Sequence, residues 1–113
     1  MRERYQSCGV FDLPAFAPEH RGGPRECADK LLSEAAEVFG EVRIWLTALR
    51  CGDLDEFYSE DVATEIADVL QVCRNICEVC DVDREMLAHA MGLCVAKNEV
   101  RDGNRYLRKA DQP

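Results

Sequence analysis

Between Pro24 and Pro113 the chain carries no proline. Proline lacks a backbone donor and breaks a helix interior, so a long stretch without it, rich in Ala, Leu, Glu and Val, is what a helical protein requires. The other prolines, Pro14, Pro18 and Pro24, crowd with the Gly22-Gly23 pair into the opening segment, which is expected to be irregular through residue 25. Residues 26–103 read as one helical domain and 104–113 as a tail. Nowhere does a two-residue alternation reach strand length, and no internal repeat is present. The expected fold class is all-α, a bundle of three to four helices.

Three long helices follow from the apolar spacing. The first should run from about Glu26 to Arg50, with Leu31, Ala35, Val38, Val42, Trp45 and Leu49 forming one inward stripe. Gly52 is placed to end it as a left-handed cap. Asp53 to Tyr58 reads as a loop, with Ser59 as the next N-cap and Glu60 and Asp61 in the first turn. The second helix then reaches about Cys80, with Val62, Ile66, Val69, Cys73, Ile76 and Cys80 inward. Asp83 can cap the third, which carries Met86, Leu87, Ala90, Leu93 and Cys94 to about Arg101, before Gly103 stops it. Three such helices make a thin bundle, since a chain of 113 residues buries only about 60–70% of its unfolded surface. A homodimer or homotetramer sharing its core is therefore expected.

Charge narrows the partners. With 14 Lys+Arg against 22 Asp+Glu the net charge is −8, so a phosphate backbone is repelled unless cations intervene, and nucleic acid is an unlikely partner. The longest uncharged stretch, Met86 to Ala96, is too short for a membrane span of roughly 20 residues, so no membrane partner is expected. The opening MRERYQSCGV lacks the apolar core of a signal peptide. Seven cysteines, an odd count, several at helical spacing in apolar stretches, fit a reducing cytoplasm better than a disulfide framework. Cys73-x-x-x-Cys77-x-x-Cys80 has the spacing of the iron–sulfur triplet of radical SAM enzymes. It lies within a helical pattern, however, where three thiols on one face act as small apolar residues. His20 and His89 have no partner at metal spacing.

The acids are more informative. In SEAAEVFGE, Glu34 and Glu37 stand three apart on one helix face; in TEIADVL, Glu65 and Asp68 repeat that spacing. Both pairs are embedded in an inward stripe, flanked by Ala35 and Val38 in one case and by Ile66 and Val69 in the other. Four carboxylates near the packed faces of successive helices repel one another, so a positive charge must lie between them or some must be protonated. An all-oxygen set of this density suits a hard divalent cation, Mg²⁺ or Mn²⁺. Taken singly, each pair fits a solvated helix face equally well.

On these residues the chain resembles the all-α nucleoside triphosphate pyrophosphohydrolases of the MazG type, including their dimeric dUTPase and dCTPase branches. The family pattern is E-E-x-x-E followed, after a variable spacer, by E-x-x-D. Here it reads Ser33-Glu34-Ala35-Ala36-Glu37 and Glu65-Ile66-Ala67-Asp68, with Ser33 where the family often has its first glutamate and Glu41 as a candidate substitute. The family's later basic cluster, K…N-x-x-R, is matched in AKNEVRDGNRY by Asn98 and Arg101, with Lys97 nearer than usual and the following Tyr-Pro missing. The resemblance spans roughly Ala28 to Arg101. It implies Mg²⁺ held by Glu34, Glu37, Glu65 and Asp68, with Glu37 as the base. It also implies Lys97, Asn98 and Arg101 on the phosphates of a (d)NTP, and hydrolysis to (d)NMP and pyrophosphate. Base recognition is expected from an aromatic residue, with Trp45 first and Phe11 or Phe16 as lids, although Trp45 also fits the core stripe. The alternative expectation is a non-catalytic helical oligomer or interaction module with the same fold.

Overall fold

A computed structural model describes residues 9–101, and all of its regular structure there is helical. A 3₁₀ turn at Val10–Asp12 precedes four α-helices: α1 (Pro18–Arg21), α2 (Pro24–Cys51), α3 (Glu56–Val79) and α4 (Arg84–Val100). The chain divides after Asp81 into two compact units, the second beginning at Val82. Cys8, Gly103 and the expected tail 104–113 lie outside the described residues.

The boundaries follow local chemistry. Pro24 occupies the first position of α2, where its missing N–H and fixed φ cost nothing. The Gly23 N–H donates to Glu26 Oε1 at 2.8 Å, so α2 starts two residues before the expected Glu26. Gly22 takes φ 74 and ψ −166, and a Cβ there would lie 2.8 Å from the Glu26 Cβ; only glycine serves. Within the segment expected to be irregular, Pro18 starts the single turn of α1.

Gly52 ends α2 as expected, at φ 76, while the Asp53 N–H donates back to the Ala48 carbonyl at 2.9 Å, a Schellman arrangement. The next helix differs from the expectation. Asp55, not Ser59, caps α3, its carboxylate accepting from the Phe57 N–H at 2.9 Å. Aspartate caps as well as serine, and Asp55 is the first one free of the α2 stop, in which Asp53 takes part, so Glu56 to Tyr58 are helical. Ser59 instead accepts a hydrogen bond from the Trp45 indole at 3.2 Å, tying α2 to α3. Asp83 caps α4 as expected, accepting from the Met86 N–H at 2.8 Å.

In the first unit α2 and α3 form an antiparallel hairpin, with Trp45 level with Ser59 at one end and Cys27 near Val72 at the other. Its buried apolar residues are small: Cys27, Ala48, Val72 and Cys77. The inward stripes are narrower than their spacing suggests. Leu31, Val38, Trp45, Val62, Val69, Cys73 and Ile76 are half-buried, whereas Ala35, Val42, Leu49, Ile66 and Cys80 are exposed. A two-helix hairpin covers only one seam of each helix, and residues a quarter-turn away stay outside. Leu32 and Phe39 are 76% and 63% exposed on α2. On α4, Leu87 is half-buried, but Met86, Ala90, Leu93 and Cys94 are exposed.

Residues 9–16 run as a strap along α3, held by Gln71, Arg74 and Asn75, which share one helical face. Gln71 Nε2 donates to the Pro14 carbonyl (2.9 Å) and Arg74 Nε to that of Leu13 (3.0 Å). The buried Asn75 Oδ1 accepts from the Phe16 N–H at 2.9 Å. The Arg74 guanidinium also lies over the Phe11 ring, 4.6 Å from its centroid. Truncating Asn75→Ala leaves the part-buried Phe16 N–H without its acceptor, which costs about 1 kcal/mol. The expected outcome is a fall of that size in urea-unfolding stability, with loss of Phe16 amide protection in hydrogen exchange.

Candidate metal centre

The antiparallel hairpin sets Glu34 and Glu37, near the middle of α2, against Glu65 and Asp68 in α3. A three-residue step keeps each pair on one side of its helix, so all four side chains enter the same space between the helices. One oxygen from each lies within 4.8 Å of the others. Two oxygens on opposite sides of a cation bound at about 2.0–2.6 Å would be about 4–5 Å apart, so the spread is that of a single ion's shell. Glu34 is buried, Glu65 half-buried, and Glu37 and Asp68 exposed, giving the site a closed floor and an open mouth. Glu41 is not among the converging acids.

Burial alone would make this costly. Glu34 is only 6% exposed, and its Oε2, like that of Glu65, is buried without a hydrogen-bond partner. Its other oxygen accepts from the Lys30 ammonium at 2.9 Å, one turn earlier on α2. Lys30 holds the Glu34 carboxyl below the ordinary glutamate range, against the effect of burial. Glu37 shifts the other way. Hydrogen bonding to Glu34 and the charge of Glu34, followed by Glu65 and burial, hold its proton above the usual range. One lysine thus offsets one of four acids, and a second acid has its proton affinity raised by the first. Unpartnered buried carboxylate oxygens facing further carboxylates fit a divalent cation that takes only oxygen ligands.

Each of the other expected site residues has its own local surroundings. Trp45 is half-buried eight residues beyond Glu37, roughly 12 Å along the axis of α2, with its N–H engaged by Ser59. The Phe11 ring lies under Arg74, while Phe16 is 47% exposed. Lys97, Asn98 and Arg101 belong to the second unit. Lys97 is exposed in the last turn of α4, Asn98 Nδ2 donates to Cys94 Sγ at 3.6 Å, and Arg101 is the C-cap in extended conformation. Burial pushes the thiols of Cys73 and Cys77 up, away from the thiolate that a metal requires.

Sequence reasoning missed Lys30 and the Gln71–Arg74–Asn75 face. Lys30 had a signal, since a lysine four residues before a glutamate pairs with it on a helix. Among the described residues no helix is long and apolar enough to cross a membrane. Comparisons with protein families, with curated proteins and with solved structures find no match.

The raised pKa of Glu37 has a definite sign for stability. A carboxyl that binds its proton more tightly folded than unfolded loses its stabilising contribution as pH rises from the ordinary glutamate value through the raised one. Glu37→Gln keeps a neutral group there at every pH. In chelator at neutral pH the variant should melt above the wild type, and the gap should close as pH falls below that window. Added Mg²⁺ should raise the wild-type melting temperature by mass action and leave the variant nearly unmoved.

Proposed function

We propose that the chain is a Mg²⁺-dependent nucleoside triphosphate pyrophosphohydrolase of the MazG-like type, working as a homodimer or homotetramer and releasing (d)NMP and pyrophosphate. The observation that carries this reading is the convergence of Glu34, Glu37, Glu65 and Asp68 from two helices, with a buried Glu34 oxygen lacking any partner. A chain of net charge −8 needs cations to approach a polyphosphate, and this is where one fits. Apolar side chains such as Leu32 and Phe39, left outside the hairpin, support the oligomeric part.

In this reading Glu34, Glu65 and Asp68 hold the ion together with Glu37, and the bound Mg²⁺ supplies charge neutralisation and polarisation of phosphoryl oxygens. Glu37, whose surroundings raise its proton affinity, would take a proton from the attacking water. The water oxygen forms the new bond to the α-phosphorus. The bond from that phosphorus to the α–β bridging oxygen breaks, and pyrophosphate leaves with the electron pair. Lys97, Asn98 and Arg101 are assigned to the phosphates on the strength of the sequence resemblance. The same exposed apolar side chains also favour the second reading, a non-catalytic helical interaction module of the same fold.

The experiment is a pyrophosphate-release assay with Mg²⁺ across a panel of ribo- and deoxyribonucleoside triphosphates. At least one nucleotide should be cleaved, and silence across the panel removes the enzymatic reading. Asp68→Asn should lower turnover by at least about 100-fold, since groups merely bonded to metal ligands cost 10–100-fold when removed. Helical circular dichroism should be retained; its loss would assign Asp68 a structural role instead.

A further inference from the structure

Beside the acid cluster, within the same unit, lies a cavity of about 240 Å³ where the strap and α1 meet the start of α2. Phe16, His20, Arg21, Cys27, Lys30 and Asn75 line it, together with Glu26 and Val72. We propose that this cavity is an anion subsite that takes the terminal phosphoryl groups of the polyphosphate whose α-phosphate lies at the carboxylates. The inference rests on the reading of function above and adds residues that it does not use.

Arg21 carries the argument. Its Nε is buried with no hydrogen-bond partner, while Nη1 donates to the Gly22 carbonyl at 2.8 Å. A buried guanidinium N–H without an acceptor costs free energy, and because Arg21 lines the cavity, an anion bound there would bring an acceptor to this side chain. Lys30 provides the link to the acids. It lines the cavity, and its ammonium sits 2.9 Å from Glu34 Oε1. A divalent ion on Glu34 takes over the role of counter-charge, leaving the ammonium to the next anion in reach, which is the phosphate chain. His20 adds a further donor. The one carboxylate among the lining residues, Glu26, already accepts from the Gly23 N–H.

Size excludes a whole nucleotide, and polarity argues against the base as occupant. The volume lies below the roughly 300–1,000 Å³ of pockets that hold a whole drug-sized ligand, so it suits part of a nucleotide. A base also needs a flat pattern of neutral donors and acceptors. The cavity's neutral acceptor, Asn75 Oδ1, already receives the Phe16 N–H (2.9 Å) and Gln71 Nε2 (3.4 Å). What remains includes the cations Arg21 and Lys30, beside the Glu26 carboxylate and the apolar walls of Cys27 and Val72. Cationic donors with an unsatisfied guanidinium N–H match phosphoryl oxygens.

The test is calorimetric titration of inorganic pyrophosphate into the full chain with Mg²⁺ present. Arg21→Met and Lys30→Met should each weaken binding about tenfold or more, the effect of losing one hydrogen bond to a charged group. Arg25→Met, which removes the same charge from an exposed residue outside the cavity lining, should stay within about twofold of wild type. Lys30 is 60% exposed, so its variant keeps the test valid if the Arg21 variant melts early. Pyrophosphate binding that survives both substitutions, or falls equally in Arg25→Met, overturns the subsite. Nucleotide turnover would then still uphold the pyrophosphohydrolase reading. Arg21-dependent binding without turnover of any nucleotide would do the reverse.

Discussion

The structure depends on a carboxylate kept where water barely reaches it. Glu34 sits in the seam between α2 and α3, facing Glu65 and Asp68 across the hairpin, and Lys30 is the nearest compensating charge. An apolar residue at position 34 would pack there without this conflict. The surrounding arrangement reads as a response to that acid: Lys30 one turn back, Glu37 with its proton affinity raised, and two buried carboxylate oxygens without a hydrogen-bond partner. Stability is given up at one place in the hairpin, and the same place gathers ligands for a hard cation.

The hairpin tolerates this because other contacts secure it. Trp45 bonds to Ser59 near the loop end, and Gly52 with Asp55 makes the connection short. The buried apolar residues Cys27, Ala48, Val72 and Cys77 are small, so the two backbones approach closely. Close approach is what lets side chains as short as aspartate and glutamate meet across the seam. The apolar residues on the outer faces of α2 add nothing to this unit by itself.

Much of this was legible in the sequence, for identifiable reasons. Helical periodicity and the lack of proline gave the all-α class; Gly52 and Asp83 marked their boundaries because each does one local job. The acid convergence was legible because a three-residue step on successive antiparallel helices leaves few other arrangements. Asp55 was passed over because Ser59 stood before a pair of acids, although aspartate caps a helix as well as serine does. The strap was illegible for a different reason. Gln71, Arg74 and Asn75 have the spacing of an ordinary solvated face, and only their long-range partners, the carbonyls of Leu13 and Pro14 and the N–H of Phe16, distinguish them. The outer stripes were overread, since periodicity tells which residues share a face but not whether a neighbour covers it.

The strap has a mechanical implication. Its attachments all fall within residues 71–75, in the last turns of α3, while the acids from that helix stand further toward its start. Fraying of a helix begins at its end, so loosening that spreads inward from Val79 meets the stretch that carries the strap before it meets the acids. Arg21 and Phe16 would then drift before the carboxylates part company. The basic pocket and the acidic one, though neighbours, are built on segments of unequal durability.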